Sequence, residues 1–192
     1  IEVCRERGIV VANSSGYATR AVAELVFGMV IALYRDLAQA DQGVRAGGTK
    51  AGLVARELAG KTFGVVGLGA IGRQVAGIAL AFGCDVLGWN RSPRRIEGVR
   101  QVELEQLLRE SDIVSLHLPL TEETRGLIDA DRLALMKPEA ILINTARGAI
   151  VDSSALASAL DRGIIAAAGI DVFDEEPPLP PSEPLLDAKH TL

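Results

Sequence analysis

Read along its apolar positions, the chain alternates short hydrophobic runs with segments of helical spacing. Phe63–Val66, Cys84–Trp89, Asp112–Leu118, Ala140–Ile143 and Ile165–Ile170 are each of strand length. Their apolarity is nearly continuous, which predicts strands buried on both faces, as in a parallel sheet. Between them, Ile71–Phe82, Glu103–Glu110, Asp129–Met136 and Ser154–Leu160 repeat apolar residues at helical spacing. Asp152 or Ser153 is a candidate cap for the last of these, and Gly163 a stop. Strand and helix in alternation predict an α/β domain of three layers with the sheet in the middle.

Upstream the pattern differs. Residues 1–12 read as a helix end, a turn at Gly8 and a small strand, Ile9–Ala12, with Asn13–Gly16 turning the chain. From Thr19, the residues Val22, Leu25, Val26, Met29, Val30 and Leu33 keep a helical period, interrupted by Glu24. The pattern runs on through Arg45 to Gly47-Gly48, so a single long helix is expected. It is too apolar for one buried stripe, which predicts a homodimer that covers the rest. Thr49–Gly60 reads as a loop, and the acidic, proline-rich stretch Asp171–Pro184 as extended chain.

The sharpest local signal is Gly67-x-Gly69-x-x-Gly72, set between an apolar strand and a helix. In a dinucleotide fold the first glycine permits the turn, the second lets backbone approach a pyrophosphate, and the third seats helix against strand. Helix N–H groups at Ala70, Ile71 and Gly72 would then face the anion. The sheet is accordingly expected to be a Rossmann-type, doubly wound parallel one, with ligands outside the carboxyl ends of its strands. That edge gathers the glycine turn, Asn90–Arg95, His117–Pro119, Asn144–Gly148 and Asp171–Glu176.

The end of the second strand bears on the cofactor. Asn90 follows Gly72 at the distance where an NAD site carries an acid for the adenosine ribose. It is neutral, and Arg91, Ser92 and Arg94 stand beside it. An amide, a hydroxyl and guanidinium groups suit a 2′-phosphate, so NADP is expected over NAD, with NAD possible. His117, Leu118, Pro119 and Thr124 are candidate cofactor contacts after the third strand, as are Thr145 and Ala146 after the fourth. Arg147, with small neighbours in Thr-Ala-Arg-Gly, suits the bidentate grip of a substrate carboxylate. An acid among Asp171, Asp174, Glu175 and Glu176 could orient a histidine.

Composition adds exclusions. With 48% apolar and 23% charged residues the chain is of ordinary globular make-up, and a net charge of -5 offers nucleic acid no attraction. No 18-residue charge-free span suggests a membrane helix. Two cysteines, Cys4 and Cys84, form neither a disulfide framework nor a metal cluster, and a cytoplasmic location is expected.

Taken together the motifs resemble the nucleotide-binding domain of the D-isomer-specific 2-hydroxyacid dehydrogenases. The likeness is carried by Ala21-Val22-Ala23-Glu24, Glu57-Leu58-x-Gly60-Lys61, the glycine turn, Leu116-His117-Leu118-Pro119-Leu120-Thr121, Met136-Lys137-Pro138, Asn144-Thr145-Ala146-Arg147-Gly148, and Asp171-Val172-Phe173 followed by Glu175-Glu176-Pro177. The resemblance implies a two-domain subunit: residues 1–16 ending a substrate domain, 17–187 binding the dinucleotide, and 188–192 starting the return. It implies hydride transfer between nicotinamide C4 and C2 of a small 2-oxo or 2-hydroxy acid. It assigns the substrate carboxylate to Arg147, the carboxyl partner of a catalytic histidine to Glu176, the nicotinamide carboxamide to Asp171, and the cofactor wall to His117, Pro119, Thr145 and Ala146.

Two positions depart from the family. Asp is common where Asn90 stands, and neither His117 nor His190 matches the family's Pro-His-x-Gly stretch. Residues 1–192 by themselves are therefore expected to bind cofactor and turn over nothing. The alternative is a dehydrogenase-like corepressor that senses nicotinamide cofactors without turnover.

Overall fold

A computed structural model of the chain describes residues 1–12, 16–49, 55–175 and 178–192. Six strands form one sheet: β1 (Thr62–Val66), β2 (Asp85–Trp89), β3 (Val99–Gln101), β4 (Ile113–Leu116), β5 (Ile141–Asn144) and β6 (Ala167–Ile170). Their order is β3-β2-β1-β4-β5-β6, and every pairing is parallel. This is the Rossmann-type doubly wound order, with the reversal of winding between β1 and β4.

Helices cover both faces because side chains alternate along each strand. Phe63, Val65, Ile113, Ile141 and Ile143 point to one face, where they meet Ala23, Val26, Phe27 and Val30 of α2 (Thr19–Tyr34) and Val75, Ala76 and Ala79 of α4 (Ala70–Ala81). Val66, Val114, Leu116 and Leu142 join the other core layer, with Leu104, Leu107 and Leu108 of α5 (Leu104–Glu110), Leu133 of α6 (Ala130–Leu133) and Leu156 and Leu160 of α7 (Ser153–Asp161). Phe27 stacks on Phe63 at 5.5 Å and on Phe82 at 5.3 Å between ring centroids. Asp152 forms the cap expected of it, accepting from the Ala155 N–H at 2.9 Å, and Asp129 likewise accepts from the Arg132 N–H at 2.9 Å.

Four expectations change. Ile9–Ala12 form no strand: with no neighbouring strand they are irregular and exposed, behind the short α1 (Glu2–Glu6). The expected long helix divides at Arg35-Asp36 into α2 and α3 (Leu37–Arg45), where Asp36 takes a left-handed conformation at φ 47°. The strand read as Asp112–Leu118 stops at Leu116, freeing His117 and Leu118 for the edge. An additional edge strand, β3, forms where the apolar pattern predicts only loop. Past β6, the backbone of residues 190–192 pairs with Ala168 and Ile170, extending the sheet edge. No helix among the described residues is long and apolar enough to cross a membrane.

Candidate cofactor and substrate site

The carboxyl ends of β1, β2, β4, β5 and β6 are laced together by hydrogen bonds that position their loops. Gly67 N–H donates to the Trp89 carbonyl at 2.8 Å, His117 N–H to that of Val66 at 2.7 Å, and Asp171 N–H to that of Asn144 at 3.0 Å. The glycine turn is sterically divided. Gly67 has φ 100°, and a Cβ there would press on the His117 carbonyl. A Cβ on Gly72 would overlap the Gly67 carbonyl oxygen. At Gly69, the residue that caps α4, a Cβ would meet nothing within 4 Å. Crowding at the two flanking glycines and open space above the middle one is what a backbone cradle for a diphosphate needs.

Asn90 is a brace. Its Oδ1 accepts from the Leu68 N–H at 3.1 Å and its Nδ2 donates to the Ser92 carbonyl at 2.7 Å, tying the glycine turn to the loop after β2. The amide is thus turned to backbone, while Arg91 of the same loop pairs with Glu123 at 3.2 Å. Beside it lies a cavity of about 350 Å³ lined by Trp89, Asn90, Arg91, Ser92, Arg94 and, across it, Leu118, Pro119 and Thr124. Thr124 Oγ1 donates to the Pro119 carbonyl at 2.7 Å and accepts from the Thr121 N–H at 2.8 Å, so it shapes the far wall. Thr121 and Glu123 line the same cavity and were missed in the sequence. The Thr-Glu-Glu-Thr run after a strand-end proline was the available signal.

His117 is partly buried, and its Nε2 lies 2.9 Å from Ser115 Oγ. Desolvation holds its pKa down to about 4. At neutral pH its ring is uncharged and unsuited to supplying a proton.

At the end of β5, Asn144 shapes the loop that follows. Its Oδ1 accepts from the Ala146 N–H at 3.1 Å and its Nδ2 donates to the Arg147 carbonyl at 3.0 Å. Arg147 is thereby set out from the sheet edge: its side chain is exposed, its Nη1 donates to the Ala146 carbonyl at 2.6 Å, and it enters no salt bridge among the described residues. Gly148 lets this loop lie against the Phe173–Asp174 peptide, which a Cβ would overlap. Thr145 is 8% exposed, and its hydroxyl has no partner among the described residues. An orphaned buried hydroxyl on the same sheet edge as an open glycine cradle fits a bound polar ligand. Glu176 lies outside the described residues. Among those described, no cluster of His, Cys, Asp and Glu could hold a metal ion.

Residues 27–192 match the family model described as D-isomer specific 2-hydroxyacid dehydrogenase, NAD binding domain. The chain is 47% identical to a glyoxylate reductase of Aeropyrum pernix over its whole length, and spans 61% of that relative. It superposes on the crystal structure of the TT0316 protein from Thermus thermophilus with a TM-score of 0.91 at 44% identity, covering all of this chain and 62% of that one. It is likewise similar to an acyclic imino acid reductase solved in complex with NADPH and D-Arg, with a TM-score of 0.89 at 36% identity and the same coverage. The chain thus spans about three-fifths of the length of these relatives.

Proposed function

Because this chain belongs to the D-isomer-specific 2-hydroxyacid dehydrogenase family, as its NAD-binding domain, we propose that it serves an oxidoreductase that reduces a small 2-oxo acid, with NADPH favoured over NADH. The observation that carries this reading is one shared sheet edge: an open Gly69 cradle under α4 and, beyond β4, an outward Arg147 on a loop built by Asn144. When bound, the dihydronicotinamide would supply the hydride. Gly69 and the first turn of α4 hold the diphosphate through backbone N–H groups. Arg91, Ser92 and Arg94 receive the 2′-phosphate through charge-assisted hydrogen bonds. Thr145, Ala146, Pro119 and neutral His117 form the cofactor wall, with Pro119, Leu118 and Thr124 on its adenosine side, and Asp171 takes the carboxamide. Arg147 grips the substrate carboxylate and polarises the neighbouring carbonyl oxygen. Glu176 orients the histidine that gives the proton.

Glyoxylate and hydroxypyruvate are the substrates favoured by the likeness to glyoxylate and hydroxypyruvate reductases. Residues 1–16 and 188–192 are read as the junctions to a substrate domain, and residues 1–192 by themselves as binding cofactor without turnover. The exposed apolar residues Leu25 and Ile31 on α2 support a homodimer through this domain. The test is loss of dihydronicotinamide absorbance when the protein that carries this domain meets glyoxylate or hydroxypyruvate. Turnover that Arg147→Gln cuts by about two orders of magnitude or more is expected. Undiminished turnover in that variant would overturn the role given to Arg147.

A further inference from the structure

We propose that Glu123 is a specificity-determining residue at the adenosine end of the cleft, where its carboxylate holds Arg91 and competes with the 2′-phosphate of the cofactor for it. The proposal rests on the NADPH-favouring reading above. Arg91 Nη1 lies 3.2 Å from Glu123 Oε2. The two residues come from different loops, after β2 and after β4, and both line the cavity that Ser92 and Arg94 line. The pair therefore bridges two walls of the space that would take the adenosine.

Its side chains are 81% and 72% exposed, so the bond is of the weak, exchangeable surface kind. A phosphate offers Arg91 more negative charge and a bidentate geometry, and Arg91 exchanges partners when it arrives. The exchange strands the Glu123 carboxylate next to a new anion. That cost falls only on the phosphorylated cofactor, since a free 2′-hydroxyl neither requires Arg91 nor repels Glu123. Arg94 differs from Arg91 here: it enters no salt bridge among the described residues and is free to meet the phosphate without exchange. The site thus has one committed and one uncommitted arginine, and Glu123 narrows the preference that the two would otherwise give.

The test is fluorescence titration of NADPH and NADH into the wild-type protein, Glu123→Gln, Arg91→Gln and the double variant. Glu123→Gln should tighten NADPH about three- to tenfold and change NADH less than about twofold, with a smaller gain for NADPH when Arg91 is already Gln. Unchanged or weaker NADPH binding in Glu123→Gln would overturn the proposal, as would equal tightening of both cofactors or an undiminished gain in the double variant. If wild type favours NADPH, Arg91→Gln erases that preference and Glu123→Gln alters nothing, only the role of Glu123 falls. If wild type favours NADH, the NADPH-favouring reading falls and takes the proposal with it.

Discussion

The two edges of the sheet treat their polar groups in opposite ways. At the amino-terminal edge the charged groups and the thiol are paired off, and the Ser111 hydroxyl is left without a partner among the described residues. Asp112, just before β4, accepts from Lys137 Nζ at 2.9 Å and from the Thr62 N–H at 2.8 Å. Burial alone would raise its pKa, but the ammonium and the backbone N–H outweigh burial and the net shift is downward. Arg56 donates to the Glu139 carbonyl at 2.8 Å and lies over the Tyr34 ring at 5.8 Å, while burial first, then Asp112, raises the Tyr34 pKa. The Cys84 thiol reaches the Leu58 carbonyl at 3.3 Å, and burial, with Asp85 and Asp112, raises its pKa. At the carboxyl edge, hydrogen bonds fix the loops and stop there. Gly69 stays open, Thr145 keeps an orphaned hydroxyl, and Arg147 points outward. One edge satisfies its charged groups internally and holds the fold; the other leaves capacity for a ligand.

Changes at the two edges should therefore separate stability from binding, and the glycine turn separates them most. Gly72→Ala forces a Cβ into the backbone of Gly67 and should cost about 3 kcal/mol or more, read as a large fall in Tm together with loss of cofactor binding. Gly69→Ala meets open space, so it should lower stability by no more than about 1 kcal/mol while weakening dinucleotide binding about tenfold or more.

Acid should expose the cost of neutral His117. Its pKa is about 4 in the fold against an ordinary 6.5, so between these values the unfolded chain binds more protons than the native one. The stability its neutrality allows is full above pH 6.5 and falls as pH drops towards 4, by up to about 3 kcal/mol. Denaturant melts of wild type and His117→Asn across that window check this, and the variant should show a flatter decline.

At the other edge, Lys137→Met strands the part-buried Asp112 carboxylate. It should cost about 1–2 kcal/mol in denaturant melts and leave cofactor affinity unchanged. Smallest in stability are the two orphaned hydroxyls. Ser111→Ala and Thr145→Val should each change stability by less than about 1 kcal/mol. Only Thr145→Val should weaken cofactor binding, about three- to tenfold.

Much of this contrast was written locally in the chain. The glycine turn, the apolar runs of β1, β2, β4, β5 and β6, and the Asp152 cap depend on near neighbours, so spacing revealed them. β3 escaped because Val-Arg-Gln is three residues long, and Arg100 and Gln101 are exposed on an edge strand. The division of the first long helix escaped because Asp36 adopts its left-handed turn with neither Gly nor Pro to mark it. Ile9–Ala12 looked like a strand, but β-like composition without a neighbour makes none. Asn90, His117 and Arg147 could be picked out as candidates, whereas their partners could not. The Leu68 N–H that Asn90 accepts lies 22 residues away and the Glu123 that holds Arg91 lies 32 away, and only the folded sheet brings them together.

The central claim is that a nicotinamide dinucleotide lies across the carboxyl edge with its diphosphate over Gly69. Trp89, the one tryptophan, lines the adjoining cavity and serves as the reporter. Titrating NADPH into wild type and Gly69→Glu while following Trp89 fluorescence tests the claim most directly. Saturable binding by wild type, weakened about a hundredfold or more in a variant that melts as wild type does, is the result expected. No saturation in wild type, or equal affinity in the two proteins, would contradict it.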